Sequence, residues 1–571
     1  IPLKKNICAN VENHFERSIQ NCAISPSDTL LVAVSAGLDS TVLAHLCSKL
    51  NLNFHLVHMN YGLRGGASDA DEFFCRELSK KLSRTFHSRD AKNEISLTAP
   101  NLQSVARDLR YDWFNKLLAE HHAQWILTGH HFDDHAETLI HQAKDAQKVW
   151  AKVSVDQRAA VLVDALDRVA VKFFDIAYAT MHTTGQSFMM SFQASGPHAN
   201  DRAMEVVSMA YHELQRFPSE VDWVKNMGKF DLHLKKNYKP IPKGVALVIG
   251  CSTFPTWNTV PGLFGSLMTG NASIVKPHPK SVLPIAMVVA EMQAALRDAG
   301  LPETVVQLGV DSLANPMTKQ LAENPAVKLI DYTGGSAFGD YVESLAGKTV
   351  FTEKAGVNSV ILESVADANA VFGNLAFAAC LYSGQMCTAP QNIFVSADGI
   401  KTAEGSLSYD EVVAGIANAV KGLAENPKMG AGTLGAIQND ITTQRVRGVE
   451  DAAGSSVVLS SAAIVNPEFP DARTASPAVI AVDASDVSQW KHECFGPIVF
   501  VIKTQGRDHS LQLAQECAAN LGAITCSCYS VDEDFVATVE ATMNEVFTPV
   551  SFNFTGAAFV NQHAAFSDFH V

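Results

Sequence analysis

Short apolar runs rich in β-branched residues alternate with stretches of helical spacing, and this alternation is what most restricts the folds open to the chain. Thr29–Ser35 (TLLVAVS) reads as a strand buried on both faces. Thr41–Leu50 follows with helical spacing, then Phe54–Met59 as a strand and Asp69–Leu82 as a helix. Asn101–Leu118 reads as a further helix and Trp125–Thr128 as a further strand. Residues 143–235 read as mainly helical, with apolar positions at amphipathic spacing. From Gly244 the pattern changes again, and Val245–Ile249 is a strand. Strands joined through helices pair in parallel, so the expected class is α/β. With 571 residues, 47% hydrophobic and 18% charged, the chain has room for several domains and is too apolar for disorder.

Lys and Arg number 44 against 59 Asp and Glu, a net charge of −15, which speaks against a chain coated for nucleic acid or anionic membrane. Apolar stretches fall far short of a membrane span and the start carries no secretory signal, so a soluble, cytoplasmic protein is expected. The first residue is Ile1, from which a missing N-terminus is expected. The eleven cysteines form no framework and no CxxC pair, so reduced thiols and no structural zinc are expected. Eleven of the 20 histidines fall in residues 1–142, a segment with 14 Lys and Arg against 16 Asp and Glu.

The turn Ser35-Ala36-Gly37-Leu38-Asp39-Ser40 lets backbone N–H groups converge at a helix start, where anions bind readily. It lacks the lysine of a Walker loop, and an ordinary strand-to-helix turn would read similarly. Three more motifs follow in order. They are His58-Met59-Asn60-Tyr61-Gly62-Leu63-Arg64, then Asn101, Ala106, Arg107, Arg110 and Tyr111, then Thr128-Gly129-His130-His131-Phe132-Asp133-Asp134-His135-Ala136-Glu137-Thr138. Over about residues 8–142 these resemble the N-type ATP pyrophosphatases, specifically the tRNA(Ile)-lysidine synthetases. The resemblance implies that Ser35, Gly37, Asp39 and Ser40 hold ATP phosphates and that His130, Asp133 and Asp134 line the reaction centre. Ala36 stands where that family usually has Gly, and His135 where it has Gln. The pattern stops after Thr138. The segment is therefore read as a partial PP-loop unit, with ATP and Mg as its implied ligands, no tRNA binding and no lysine ligation. His130, His131, Asp133, Asp134 and His135 are metal-ligand types, but the motif already accounts for them and no metal site is assigned.

The second region carries Asn258 in a Pro-rich turn, Gly270-Asn271-Ala272-Ser273-Ile274-Val275-Lys276-Pro277, Tyr332-Thr333-Gly334-Gly335-Ser336, Glu353-Lys354-Ala355-Gly356, Gly384-Gln385-Met386-Cys387 and Glu493-Cys494-Phe495-Gly496-Pro497. In this order, with Glu353 thirty-four residues before Cys387, they resemble the NAD(P)-dependent aldehyde dehydrogenases. The stretches MHTTGQSFMMSFQASGPHANDRAMEVV, ALVIGCSTFPTWNTVPGLFGSLMTGN and FVNQHAAFSDFH are similar to the PaaN-type phenylacetic acid degradation branch. The resemblance implies a Rossmann-like aldehyde dehydrogenase fold, a cofactor domain plus a catalytic domain, behind the N-terminal PP-loop-like segment. The expected division is 1–142, then 143–352 as helical lead-in and cofactor domain, then 353–571 as the catalytic domain. The end at Val571 is read as short of the family's final turns.

Aldehyde oxidation needs a nucleophile, a donor for the developing oxyanion and a base for hydrolysis of the acyl-enzyme. The resemblance implies Cys387, Asn258 and Glu353 for these roles. It implies Lys276 on the adenosine ribose, Glu493 on the nicotinamide ribose, and Thr333, Gly334, Gly335 and Phe495 around the dinucleotide. Pro279 stands where a Glu often meets the ribose 2′-hydroxyl. With Lys276, Lys280 and His278 nearby, NADP is expected to serve at least as well as NAD. The implied partners are a small aldehyde and further copies of the chain. The alternative weighed is ATP-dependent lysidine ligation by the first segment, read as a remnant fused to the dehydrogenase.

Overall fold

A computed structural model describes residues 11–557, apart from 14, 21, 26, 95–101 and 130–131, and leaves aside the side chains of 102–105, 107, 108 and 132–134. The chain divides into two compact units, Ile1–His135 and Ala136–Val571. The helix Phe132–Trp150 runs across that division without a break.

In the first unit four parallel strands form one sheet: β1 (Thr29–Ala33), β2 (Asn53–Asn60), β3 (Phe86–Asp90) and β4 (Trp125–Thr128), in the order β3-β2-β1-β4. Leu30, Leu31 and Val32 of β1 are wholly buried, as a central parallel strand requires. Strand β3 (FHSRD) carries no apolar run and was not expected from the sequence. The strand order reverses between β1 and β4, so the loops after these two strands open a crevice at their carboxyl ends.

In the second unit, helices occupy most of residues 136–215 as expected. The helical expectation fails beyond them. Glu220–Asn226 (β5) and Asp231–Asn237 (β6) form an antiparallel hairpin, with Trp223 opposite Leu234. Val221 and Trp223 alternate with polar neighbours at the period of a strand, and Gly228 at φ +86 allows the tight turn.

A five-stranded parallel sheet follows, made of β7 (Val245–Ile249), β8 (Ala272–Lys276), β9 (Val306–Leu308), β10 (Val327–Thr333) and β11 (Thr349–Glu353). Its order, β11-β10-β7-β8-β9, places a topological switch between β7 and β10. Every residue of β7 and β8 is buried. Next come β12 (Asn358–Leu362), β13 (Ser364–Val365), β14 (Pro390–Ser396), β15 (Ile400–Thr402), β16 (Gly405–Leu407), β17 (Val457–Leu459), β18 (Ala478–Asp483), β19 (Ile498–Thr504), β20 (Cys526–Tyr529) and β21 (Val550–Phe552). Seven of them form the sheet β17-β18-β19-β14-β12-β20-β21, and β13, β15 and β16 form a small one. Among the described residues, no helix is long and apolar enough to cross a membrane.

Candidate active site

The segment before Cys387 is an uncommon backbone. Tyr382, Ser383 and Gly384 take successive φ values of +49, +52 and +65. Left-handed backbone at two non-glycine residues is unfavourable and persists only where surroundings impose it. Here the Tyr382 hydroxyl donates to the Thr184 carbonyl at 2.7 Å, and the Ser383 hydroxyl to that of Gly435 at 2.9 Å. Gln385 donates to the Ala436 carbonyl at 3.0 Å and accepts from the Gln438 amide at 3.0 Å. A Cβ at position 384 would stand 2.4 Å from the Gly496 carbonyl oxygen, so only glycine fits. The Cys387 carbonyl in turn accepts from Asn358 Nδ2 at 2.6 Å.

Three chain-distant groups meet at this turn. The Cys387 thiol hydrogen-bonds the Glu353 carboxyl, and Asn258 Nδ2 donates to Glu353 Oε2 at 2.9 Å. Asn258 lies in the first turn of the helix Pro255–Met268, beyond the carboxyl end of β7, and Glu353 is the last residue of β11. The carboxyl ends of β7 and β11 in that sheet therefore deliver both to the thiol. Burial foremost, then the Glu353 charge and hydrogen bond, then Cys251, push the Cys387 thiol well above its ordinary value. Cys251 Sγ lies 3.5 Å from Asn258 Oδ1, and burial raises that thiol to about 11. Asp331 on β10 is raised to about 7, by burial and then by Glu353. Arg202 sits 5.4 Å over the Trp257 ring and within electrostatic reach of Glu353; burial lowers it to about 10.

Glu493 and Phe495 line one small cavity with Cys387, Met386 and Gly356. Burial raises the Glu493 carboxyl, while the Gly356 backbone hydrogen bond and Arg445 oppose the rise. Thr333 ends β10, Gly334 N–H donates to the Glu353 carbonyl at 3.0 Å, and Gly335 caps the helix Ser336–Glu343. Nothing stands within 4 Å of where a Gly335 Cβ would project, so the helix N-terminus is open to an anionic group. These residues fit a dinucleotide.

Around Pro279 the structure corrects one expectation. His278 carries no positive charge at neutral pH: burial foremost, then Lys276 and Lys280, lower it to about 4. Lys276 is paired with the buried Asp311 at 2.6 Å, and Lys280 bonds Asn439. Asp311, Asn358, Arg202 and Cys251 were not found from the sequence. Each acts through a partner far away in the chain, except Cys251, which stands seven residues before Asn258 and signalled nothing in isolation.

In the first unit, Ser35, Gly37, Asp39 and Ser40 line a cleft of about 410 Å³ with Arg64, Arg110 and Gly129. A Cβ at Gly129 would come 2.7 Å from Ser40 N, so the loops after β1 and β4 touch backbone to backbone. Ala36 has φ +64, a conformation in which Gly would be unstrained. His130 lies outside the described residues, as do the side chains of Asp133 and Asp134.

The aldehyde dehydrogenase family matches residues 122–556, about three-quarters of the sequence. The chain belongs to that family. It is an oxidoreductase of the aldehyde dehydrogenase type. The PP-loop domain family matches residues 9–161. The chain is similar to the solved NAD-dependent aldehyde dehydrogenase of Burkholderia multivorans, with 45% identity, a TM-score of 0.74, and coverage of 76% of this chain and 78% of that one. It is 22% identical to the alpha-ketoglutaric semialdehyde dehydrogenase of Bacillus subtilis over 68% of this chain and 76% of that protein. The tRNA(Ile)-lysidine synthase of Chlorobaculum tepidum is 42% identical over 123 residues, which is 20% of this chain and 37% of that protein. The chain thus spans little more than a third of the length of that relative.

Proposed function

We propose that the chain oxidises an apolar, aromatic aldehyde of phenylacetate breakdown to the acid, using NADP or NAD, through covalent intermediates on Cys387. The observation that carries this reading is the meeting of Cys387, Glu353 and Asn258. Glu353 takes the thiol proton along the existing hydrogen bond, and the thiolate adds to the carbonyl carbon. The oxygen, now anionic, meets Asn258 Nδ2 and the Cys387 N–H, giving a thiohemiacetal. A bound nicotinamide would supply the hydride acceptor, and collapse of the oxyanion held by Asn258 would then leave an acyl thioester on Cys387. Glu353 then releases that first proton to solvent, takes a second from water as the water attacks the thioester, and returns it to the departing thiolate, so that the acid leaves and the thiol is restored.

Lys276, Pro279, Thr333, Gly334, Gly335, Glu493 and Phe495 hold the dinucleotide in this reading, with the cofactor domain spanning 143–352 and the catalytic domain 353–571. An aromatic substrate is supported by the PaaN-like stretches and by the apolar cluster of Met386 with Trp257, Phe254, Met190 and Phe377. The test is a panel of aromatic and aliphatic aldehydes with each cofactor, followed by absorbance of the reduced cofactor. Faster turnover of aliphatic than of aromatic aldehydes would sink the substrate assignment.

The cleft at Ser35–Ser40 supports ATP binding by the first unit, without the ligase reaction of its longer relatives. Titration with ATP and an assay for lysine incorporation into tRNA check both parts. Detectable incorporation would overturn the second.

A further inference from the structure

Three histidines converge in the first unit, none of them among the residues that line its nucleotide cleft. His55 lies on β2, His87 on the edge strand β3, and His121 directly follows the helix Leu102–Glu120. The register sets Val57 opposite His87, so His55 and His87 stand diagonally on one face of the sheet. The helix end brings His121 to the same place, with ring centroids 5.2 Å from His55 and 4.4 Å from His87. One nitrogen from each ring lies within 4.8 Å of the others, and all three rings are half-buried.

His55 Nδ1 and His87 Nε2 stand 3.0 Å apart. That is close to the roughly 3.3 Å edge of a tetrahedron with ~2.0 Å metal–nitrogen bonds. A shared proton accounts for the approach of two rings and gives no reason for the third to converge on them. A cation accounts for all three. Burial, then neighbouring imidazoles, lower His55 and His87, so both keep the lone pairs that a metal needs at neutral pH. The Glu120 carboxylate lies within electrostatic reach of His87 and offsets part of an added positive charge.

We propose that His55, His87 and His121 form a binding site for a transition-metal cation of the Zn²⁺ class, with three imidazole ligands and one position open to water. Imidazole suits Zn, Co, Ni and Cu, and three protein ligands with one open position is a common arrangement for zinc. The bound ion would tie the sheet edge at β3 to the end of the helix. No sequence motif announces the set, because its three members come from separate elements.

The test uses the full chain, stripped of metal and titrated with Co²⁺ and with Zn²⁺. One equivalent of Co²⁺ should bind with a dissociation constant of about 1 µM or tighter. Its visible bands should appear without a sulfur charge-transfer band, which separates imidazole ligation from the cysteines. His87→Asn and His121→Asn should each weaken binding at least about tenfold, whereas His509→Asn should leave it unchanged. Absence of a stoichiometric site, a sulfur charge-transfer band, or affinity unaffected in both variants would overturn the proposal. Should a variant fail to fold, the stoichiometry and spectrum of the unsubstituted chain still decide.

Discussion

At Cys387, burial foremost and then Glu353 raise the thiol, and Glu353 is also the group proposed to deprotonate it. Glu353 holds the Cys387 proton by charge and by hydrogen bond. Replacing Glu353 with Gln removes the charge and lowers the thiol pKa, and each unit of lowering gives about tenfold more thiolate. Iodoacetamide should therefore alkylate Cys387 faster in Glu353→Gln at fixed neutral pH, while aldehyde turnover falls. In the unsubstituted chain alkylation should climb as pH rises, because the raised thiol ionises only in alkaline solution. Slower alkylation in the variant would contradict the contact. Cys387→Ala should lose several orders of magnitude in turnover and keep cofactor affinity. Cys380, buried and raised to about 12, should be replaceable by Ala with little change in rate. At the ribose end, the neutral His278 and the Lys276–Asp311 pair leave less free positive charge than the sequence promised. Because Pro279 still offers no carboxylate, the kcat/KM values for NADP and NAD should lie within about tenfold of each other. Pro279→Glu should shift that ratio towards NAD by about tenfold or more, the worth of one charge-assisted contact. Steady-state kinetics with both cofactors measure it, and an unchanged ratio in the variant would rule out a role for this position.

Among the elements, β12 does more than complete a sheet. Its first residue, Asn358, donates to the carbonyls of Cys387 and Ala389 and accepts from the amides of Ile524 and Thr525. Asn358→Ala strands these buried groups and should destabilise the fold by at least about 2 kcal/mol. As a positioning residue it should lower kcat more than it raises KM, which separates it from a purely structural role. Denaturant unfolding and steady-state kinetics give the two numbers. The family resemblance pointed to Cys387, Glu353 and Asn258, and the structure brings the three together. The sequence could not show Asn358, because an asparagine opening a strand looks the same whatever its side chain holds. Elements followed the same division. The apolar β1 and β7 were legible; the polar β3 and the hairpin β5–β6 were not, since one lacks a hydrophobic run and the other sits beside long helices of similar composition. Inside the helical stretch, Ala194–His198 forms a π-helical turn that contains Pro197. A wider turn accommodates a residue with no N–H to donate, so this proline does not end the helical run.

At the scale of the whole molecule, the hairpin presents a run of uncovered apolar side chains among the described residues. Val221, Trp223, Val224, Phe230 and Leu234 are all exposed on it. A two-stranded ribbon is marginal by itself, and a patch of this kind marks an interaction surface. A second copy of the chain is the expected cover, in keeping with the implied homo-oligomer. Sedimentation should show a dimer or larger, and Trp223→Asp with Val224→Asp should shift it towards monomer without disturbing the far-UV spectrum. A monomer in the unsubstituted chain would refute the assignment. The two compact units have another consequence, which follows from the helix Phe132–Trp150. The chain passes from one unit to the next inside a continuous run of helical hydrogen bonds, not through a tether. A half-chain beginning at Ala136 would start one turn inside that helix and expose amides that the preceding turn now partners. Ala136, where the second unit begins, is thus a poor place to cut the polypeptide, and a fragment opening several residues earlier should hold its first helix better.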